Sequence, residues 1–270
     1  MKTKFFNSIV ALSLVTTTLL FSACGSDSTT TTLPHPDASP AIPDAVLTAI
    51  DSPAVELTQE TKDTLAYMGN EERLAYDVYM ELYKYHLENS DLEIKQLTNI
   101  ATNAEMNHLK TVQLLVEKYI TDLSEFSNTN SDRDQELSLD MNFTSYSVEE
   151  LPTGEYNIDV IQELYDALMA KGQQSEQDAL EVGCMVEVTD INDLDEDLAI
   201  ATASNADDIV VAFEYLRDGS YSHYWSFDNS LKNMGIEDGC CSLGDDFCHP
   251  EYPQTENENG GGNGQGHGNH

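Results

Sequence analysis

Glu105 and His108 stand three residues apart in a segment whose apolar residues recur at helical spacing. At i and i+3, two side chains leave one face of a helix. Ile94, Ala101, Val112, Leu115 and Tyr119 fall on the same stripe, so the carboxylate and the imidazole point into a core. Unpaired charge is very costly there, and a metal ion is the natural compensation.

The rest of the chain supplies what such a site needs. Glu72 lies 33 residues before Glu105, on a stripe made by Leu65, Met68, Ala75, Tyr79 and Leu82. Glu187 shares a stripe with Leu180, Cys184, Ile191, Leu194 and Leu198, and His223 shares one with Ile209, Leu216, Phe227 and Met234. From Glu72 to His108 is 36 residues, from Glu187 to His223 is again 36, and the slot 33 after Glu187 is Ser220. Two helix pairs of one design are implied, each with a Glu on its first helix and a Glu-x-x-His on its second, one Glu having been lost. That is the ligand arrangement of di-iron carboxylate four-helix bundles.

In this arrangement Glu72 and Glu187 are terminal carboxylates, Glu105 bridges, and His108 and His223 supply nitrogen. Asp190, three residues after Glu187, is the candidate to fill the gap at Ser220; otherwise water or substrate occupies that position. A lone buried histidine is ordinarily a hydrogen-bonded core residue. Five acids and imidazoles on four stripes are different, because burying Glu72, Glu105 and Glu187 together without a cation raises their pKa values through desolvation and mutual repulsion. Carboxylate and imidazole ligands suit two non-haem iron ions, or manganese. Glu71 flanks the stripe and Glu181 and Glu214 lie on helix shoulders; Tyr76, Tyr79, Tyr83, Tyr221 and Trp225 are aromatics near the stripes that read as core packing, with a hydrogen bond to a ligand or a redox role as the second reading for Tyr79.

The elements that position these groups follow from periodicity. The expected fold is all-α: a four-helix bundle over residues 58–235 with a long crossover containing a short extra helix. The first helix begins near Thr58 and runs to about His86, and the second is capped by Ser90 or Asp91 and runs to about Ile120. Residues 121–156 begin the crossover, within which Ile158, Ile161, Leu164, Tyr165 and Leu168 make the short helix, ended by Gly172 as a left-handed cap. Ser175 with Asp178 starts the third main helix, which ends near Ala201. Asn205 caps the fourth, and Gly235 closes it. Gly219 is a blemish in that helix beside the site, where the backbone would need to approach something closely.

The ends have another character. Residues 1–23 carry Lys2 and Lys4, an apolar run from Ile9 to Phe21 and small residues before Cys24, the pattern of an export signal. The cysteine resembles the lipidation site of a bacterial lipobox, and Gly25 favours the outer membrane; the expected location is the cell envelope, with lipid on Cys24 as the membrane anchor. Residues 24–57, rich in Ser, Thr and Pro, are expected to be a flexible tether. Residues 236–270 are a cysteine-containing extension and a Gly/Asn-rich tail. A disulfide from Cys248 to Cys240 or Cys241 is expected, with Cys184 alone on an apolar face. Twelve basic against 49 acidic residues give a formal charge of -37, which excludes nucleic acid as a partner.

The segments Glu71-Glu72-Arg73-Leu74-Ala75-Tyr76-Asp77-Val78-Tyr79, Glu105-Met106-Asn107-His108, Asp178-Ala179-Leu180-Glu181-Val182-Gly183 and Asp190-Ile191-Asn192-Asp193-Leu194, with Gly219-Ser220 and His223, resemble the bacterial domain of unknown function 2202. More broadly they resemble the ferritin-like superfamily, with Glu72 and Glu105-x-x-His108 similar to the first half of a rubrerythrin or ferritin site. The resemblance implies a ferritin-like bundle and an iron-dependent redox activity toward a small-molecule oxidant, dioxygen or peroxide, or toward ferrous iron. A homodimer is compatible with this design, whereas a lipid anchor and a long tether disfavour a closed storage cage. Two other functions fit the missing Glu at Ser220: a noncatalytic module that sequesters metal, and a structural bundle with an empty site.

Overall fold

The computed structural model describes residues 42–120, 152–156 and 158–254. The leader, Cys24, most of the crossover and the Gly/Asn-rich tail lie outside the described residues. Within them the chain is an all-α bundle. Its helices are α1 (Asp44–Ile50), α2 (Gln59–Ser90), α3 (Lys95–Ile100), α4 (Met106–Tyr119), α5 (Asp159–Gly172), α6 (Glu176–Ala203) and α7 (Asp207–Asn233). A π-helical turn, Ala101–Glu105, joins α3 to α4 without a break, so these three pieces form one rod.

Caps explain where the rods start and stop. Thr58 accepts the Thr61 N–H at the head of α2, and Ser175 accepts the Asp178 N–H at the head of α6. Asp91 is not the start of the second rod: it is the left-handed cap of α2, at φ 55°, and the next helix begins only at Lys95. Asn205 is likewise left-handed, at φ 53°, and closes the turn after α6, leaving Ala206 at the N-cap of α7. Gly235, at φ 94°, ends α7 as expected. Gly172 has no left-handed conformation. It is the last residue of α5, and a Cβ there would lie 2.5 Å from a Leu82 methyl, so its smallness serves helix packing.

Named contacts set the directions of the rods. Thr61 meets Ser204, and Tyr79 meets Glu187, so α2 and α6 are antiparallel. His108 stacks on His223 while Tyr119 reaches Asp208, so α4 and α7 are antiparallel. A short turn makes α6 and α7 antiparallel neighbours, hence α4 and α6 run parallel. Only a long connection can join consecutive rods that run parallel, and α5 lies within it.

The core divides into two apolar clusters along the bundle. One contains Val78, Leu82, Leu97, Leu180 and Phe227; the other contains Leu65, Met68, Leu115, Leu194 and Phe213. Each rod passes from one cluster to the other where its acid or imidazole of interest occurs. The layer between the clusters is therefore polar and fully enclosed.

Both ends of the bundle differ from what the spacing predicts. Residues 44–50, expected in the flexible tether, form α1, which buries Val46 and Ile50 in the second cluster. Lys118 fixes its end by donating to the Ile50 carbonyl at 2.8 Å. A seven-residue helix has little stability of its own, so tertiary burial must hold it. At the other end Cys184 is not alone: it is bonded to Cys240, and Cys241 is bonded to Cys248. The second pairing is one of the two expected alternatives. Tyr224 donates to the Phe247 carbonyl and Trp225 to the Pro253 carbonyl, so residues 239–254 fold back as a cap on α6 and α7.

Candidate metal centre

Two groups of three ligand atoms occur among the described residues, Glu72 with Glu105 and His108, and Glu105 with Glu187 and His223, each within 4.8 Å. Glu105 belongs to both. His108 Nδ1 lies 3.2 Å from Glu72 Oε2 and 3.3 Å from Glu105 Oε2. His223 Nδ1 lies 3.0 Å from Glu105 Oε1 and 3.3 Å from Glu187 Oε2. The two imidazoles stack with centroids 5.5 Å apart. Every one of these five side chains is buried.

Local structure aims them. The π-helical turn ends at Glu105, and its extra residue per turn shifts the phase of everything after it. Nothing in the apolar spacing announces that turn. On α7, a Cβ at Gly219 would fall 2.4 Å from His108 Nε2, so the glycine is what admits the imidazole of the facing rod. This is the close approach expected at Gly219, and α7 runs through it unbroken. Tyr79 donates to Glu187 Oε1, a hydroxyl contact that fixes one carboxylate oxygen and leaves the other toward His223.

Asp190 occupies the neighbourhood of Ser220, whose hydroxyl donates to Asp190 Oδ2 at 2.6 Å. It is absent from both groups of three, but its surroundings include the charges of Glu72, Glu187 and Glu105. Glu71 is buried beside it, lining the same small cavity. Glu181 is engaged away from the site by Lys171 at 2.5 Å, and Glu214 is exposed.

The electrostatics show a layer that is costly without a cation. Burial pushes the Glu72 carboxyl up to about 7, although His108 opposes the shift. Burial also raises Glu187 and takes Asp190 well above the ordinary range, with the charge of Glu72 adding to the latter. Glu105 goes the other way: burial would raise it, but His223 and His108 hold it below the usual carboxylate range. Burial disfavours charge on the imidazoles, yet Glu72 lifts His108 well above its ordinary value, and Glu187 and Glu105 take His223 to about 10. Burial, then Glu187, raises Tyr79 well above a normal phenol.

Four buried atoms in this layer, Glu72 Oε1, Glu105 Oε1, Asp190 Oδ1 and His223 Nδ1, have no hydrogen-bond partner among the described residues. Glu105 Oε1 and His223 Nδ1 are only 3.0 Å apart yet lack hydrogen-bond alignment. Ligand lone pairs directed at a common point, rather than at each other, have this geometry. Three carboxylates, two imidazoles and a nearby fourth carboxylate form a donor set that fits a pair of iron or manganese ions.

The fold and the donor set define an all-α bundle with a carboxylate–imidazole layer at its centre. Residues 61–141 and 121–246 match a family described as an uncharacterized protein domain, DUF2202, and the chain belongs to it. It is 31% identical over 184 residues to the uncharacterized protein MJ0754 of Methanocaldococcus jannaschii, covering 68% of this chain and 81% of the relative. The crystal structure of that hypothetical protein is similar, with a TM-score of 0.52 over 68% of this chain and 87% of the other.

Proposed function

We propose that this chain is a ferritin-like di-metal protein of the cell envelope that reacts with dioxygen or peroxide, or oxidises ferrous iron. The observation that carries the proposal is the sharing of Glu105 by two otherwise separate triads. Two iron ions are the preferred occupants and manganese the alternative. Glu72 and His108 would hold one ion, Glu187 and His223 the other, and Glu105 both. When bound, the pair supplies a redox couple and Lewis acidity. The chain's own residues orient the layer: Tyr79 holds Glu187, Ser220 holds Asp190, and the two apolar clusters exclude water. The signal-like leader and Cys24 support export and lipid anchoring, and Cys24→Ser should release the protein from membranes.

The test is anaerobic purification of the mature chain with elemental analysis and visible spectroscopy, repeated for Glu105→Ala and His108→Ala. Two equivalents of iron in the wild type and strong loss in both variants are expected. Less than half an equivalent of any transition metal after iron and manganese supplementation overturns the reading. The hydrogen bond that ties Asp190 to Ser220 favours a second reading, a noncatalytic metal-sequestering module. It predicts the same metal content with no turnover of oxygen or peroxide.

A further inference from the structure

The cap at residues 239–254 is fastened to the two helices of the second pair in different ways. On α7 the fastening is by hydrogen bonds. Tyr224 donates to the Phe247 carbonyl and accepts the His249 N–H, Trp225 donates to the Pro253 carbonyl, and Asp228 accepts the Cys240 N–H. On α6 it is covalent, through Cys184–Cys240. Both fastenings lie within a turn of a candidate ligand. Cys184 precedes Glu187 by three residues, on the same face of α6, and Tyr224 follows His223 directly. The cap therefore braces the half-site that contains Glu187 and His223.

The four cysteines are not equally accessible. Cys184 and Cys240 are fully buried, whereas Cys241 and Cys248 are half-buried. A protein-sized reductant reaches only the outer pair. The two bonds are nevertheless neighbours, because Cys240 and Cys241 are consecutive and the Cα atoms of Cys241 and Cys248 are 4.1 Å apart. Cys248 thus lies no more than about 8 Å from Cys240, Cα to Cα. Gly244 stands between Cys241 and Cys248 at φ 106° with open space around it, and supplies the backbone freedom that closing this gap requires.

We propose that these cysteines form a redox latch: a dithiol protein exchanges with Cys241–Cys248, the exchange passes inward to Cys184–Cys240, and the cap is freed from α6. One thiolate of the dithiol attacks a sulfur of Cys241–Cys248, and its second thiol resolves the mixed disulfide. Two electrons and two protons leave the dithiol, which becomes a disulfide, and Cys241 and Cys248 become thiols. The Cys248 thiolate then attacks Cys240 Sγ. The Cys240–Cys248 bond forms, the Cys184–Cys240 bond breaks, and Cys184 takes up the proton that Cys248 lost. This second step consumes no electrons, and it leaves the cap closed on itself. The consequence for metal rests on the proposed di-metal reading: with the brace undone, the ion beside Glu187 is held less firmly.

The experiment uses the full-length mature chain, metal-free and loaded with ferrous iron, under anaerobic conditions. Thioredoxin, kept reduced by its reductase and NADPH, is the dithiol. Samples are quenched in acid after one equivalent of NADPH, denatured, alkylated and mapped by mass spectrometry. Cys184 and Cys241 should carry the label, and Cys240 should be bonded to Cys248. In Cys241→Ser with Cys248→Ser, the release of Cys184 should be at least tenfold slower. Loss of the second iron equivalent to a ferrous chelator should be at least tenfold faster once Cys184 is free. Cys184 still bonded to Cys240 in the treated wild type overturns the latch, as does equally fast release in the double variant. Unchanged iron loss from a chain with free Cys184 overturns its coupling to the site. A wild type that yields the expected thiols but holds no metal sinks the di-metal reading and leaves the latch standing, so the two failures are distinguishable.

Discussion

Gly219 and His108 are in such close register that a single methyl group cannot be placed between them: a Cβ at 219 would lie 2.4 Å from Nε2. Helix propensity alone says that Gly219→Ala stabilises α7 by about 1 kcal/mol. The contact says the opposite, because the facing imidazole must leave its position. The expected result is a variant that melts lower than wild type when metal-loaded and holds less than one equivalent of metal, checked by calorimetry and elemental analysis. A more stable, fully loaded variant would contradict the assigned position of His108.

The hydroxyl of Tyr79 is a supporting contact to Glu187, one of the proposed ligands. Tyr79→Phe keeps the ring packed against Phe227, at 5.4 Å between centroids, and removes only the donor to Glu187. Leaving that buried oxygen unsatisfied should cost about 1–3 kcal/mol in the metal-free protein. Metal affinity should weaken by roughly 10–100-fold, as for other supporting contacts to ligands. Competitive chelator titration beside urea denaturation separates the two effects.

Stability of the metal-free chain should fall as pH rises. Glu72 titrates at about 7 in the folded state against 4.5 in its absence of neighbours, so between these values the native state keeps a proton that the unfolded chain has lost. Stability conferred this way is present at low pH and declines through the window, by up to about 3 kcal/mol. His223, lifted to about 10, acts in the same sense: its contribution is complete below about 6.5 and disappears toward 10. Urea midpoints should therefore be lower at pH 8.5 than at pH 5.5 without metal. With metal bound the order should reverse, because protons compete for the same ligands. Glu72→Gln should flatten part of the metal-free slope.

The two disulfides should differ in worth. Cys184–Cys240 closes a loop with a separation of 56 residues, and Cys241–Cys248 one of 7. Chain entropy alone gives about 4 kcal/mol for the first and about 2 kcal/mol for the second. Cys184→Ala with Cys240→Ala should thus lower the denaturation midpoint about twice as far as Cys241→Ala with Cys248→Ala. Equal losses would mean that residues 239–254 dock without the covalent link.

The acids and imidazoles were conspicuous in the sequence because charge on an apolar stripe is rare, and a repeated interval of 36 residues ties the stripes into pairs. The rods were legible for the same reason of periodicity. The features that periodicity does not encode depend on contacts distant in sequence. Cys184 and Cys240 meet only because the extension folds back, and α1 exists only because Val46 and Ile50 find the bundle. The π-helical turn at Ala101–Glu105 is a change in the backbone ladder, with no residue type that marks it. Gly172 and Gly219 look alike as helix blemishes; only their opposite neighbours, Leu82 and His108, show what each is for.

The triad of Glu72, Glu105 and His108 is complete within the first helix pair, whereas that of Glu105, Glu187 and His223 straddles both pairs. The two half-sites are thus unequal in what their survival requires. A fluctuation that parts the pairs dismantles one and spares the other, so the ion beside Glu187 should leave first under chelation and return last on refilling, and occupancy of that position reports whether the two halves of the chain are joined.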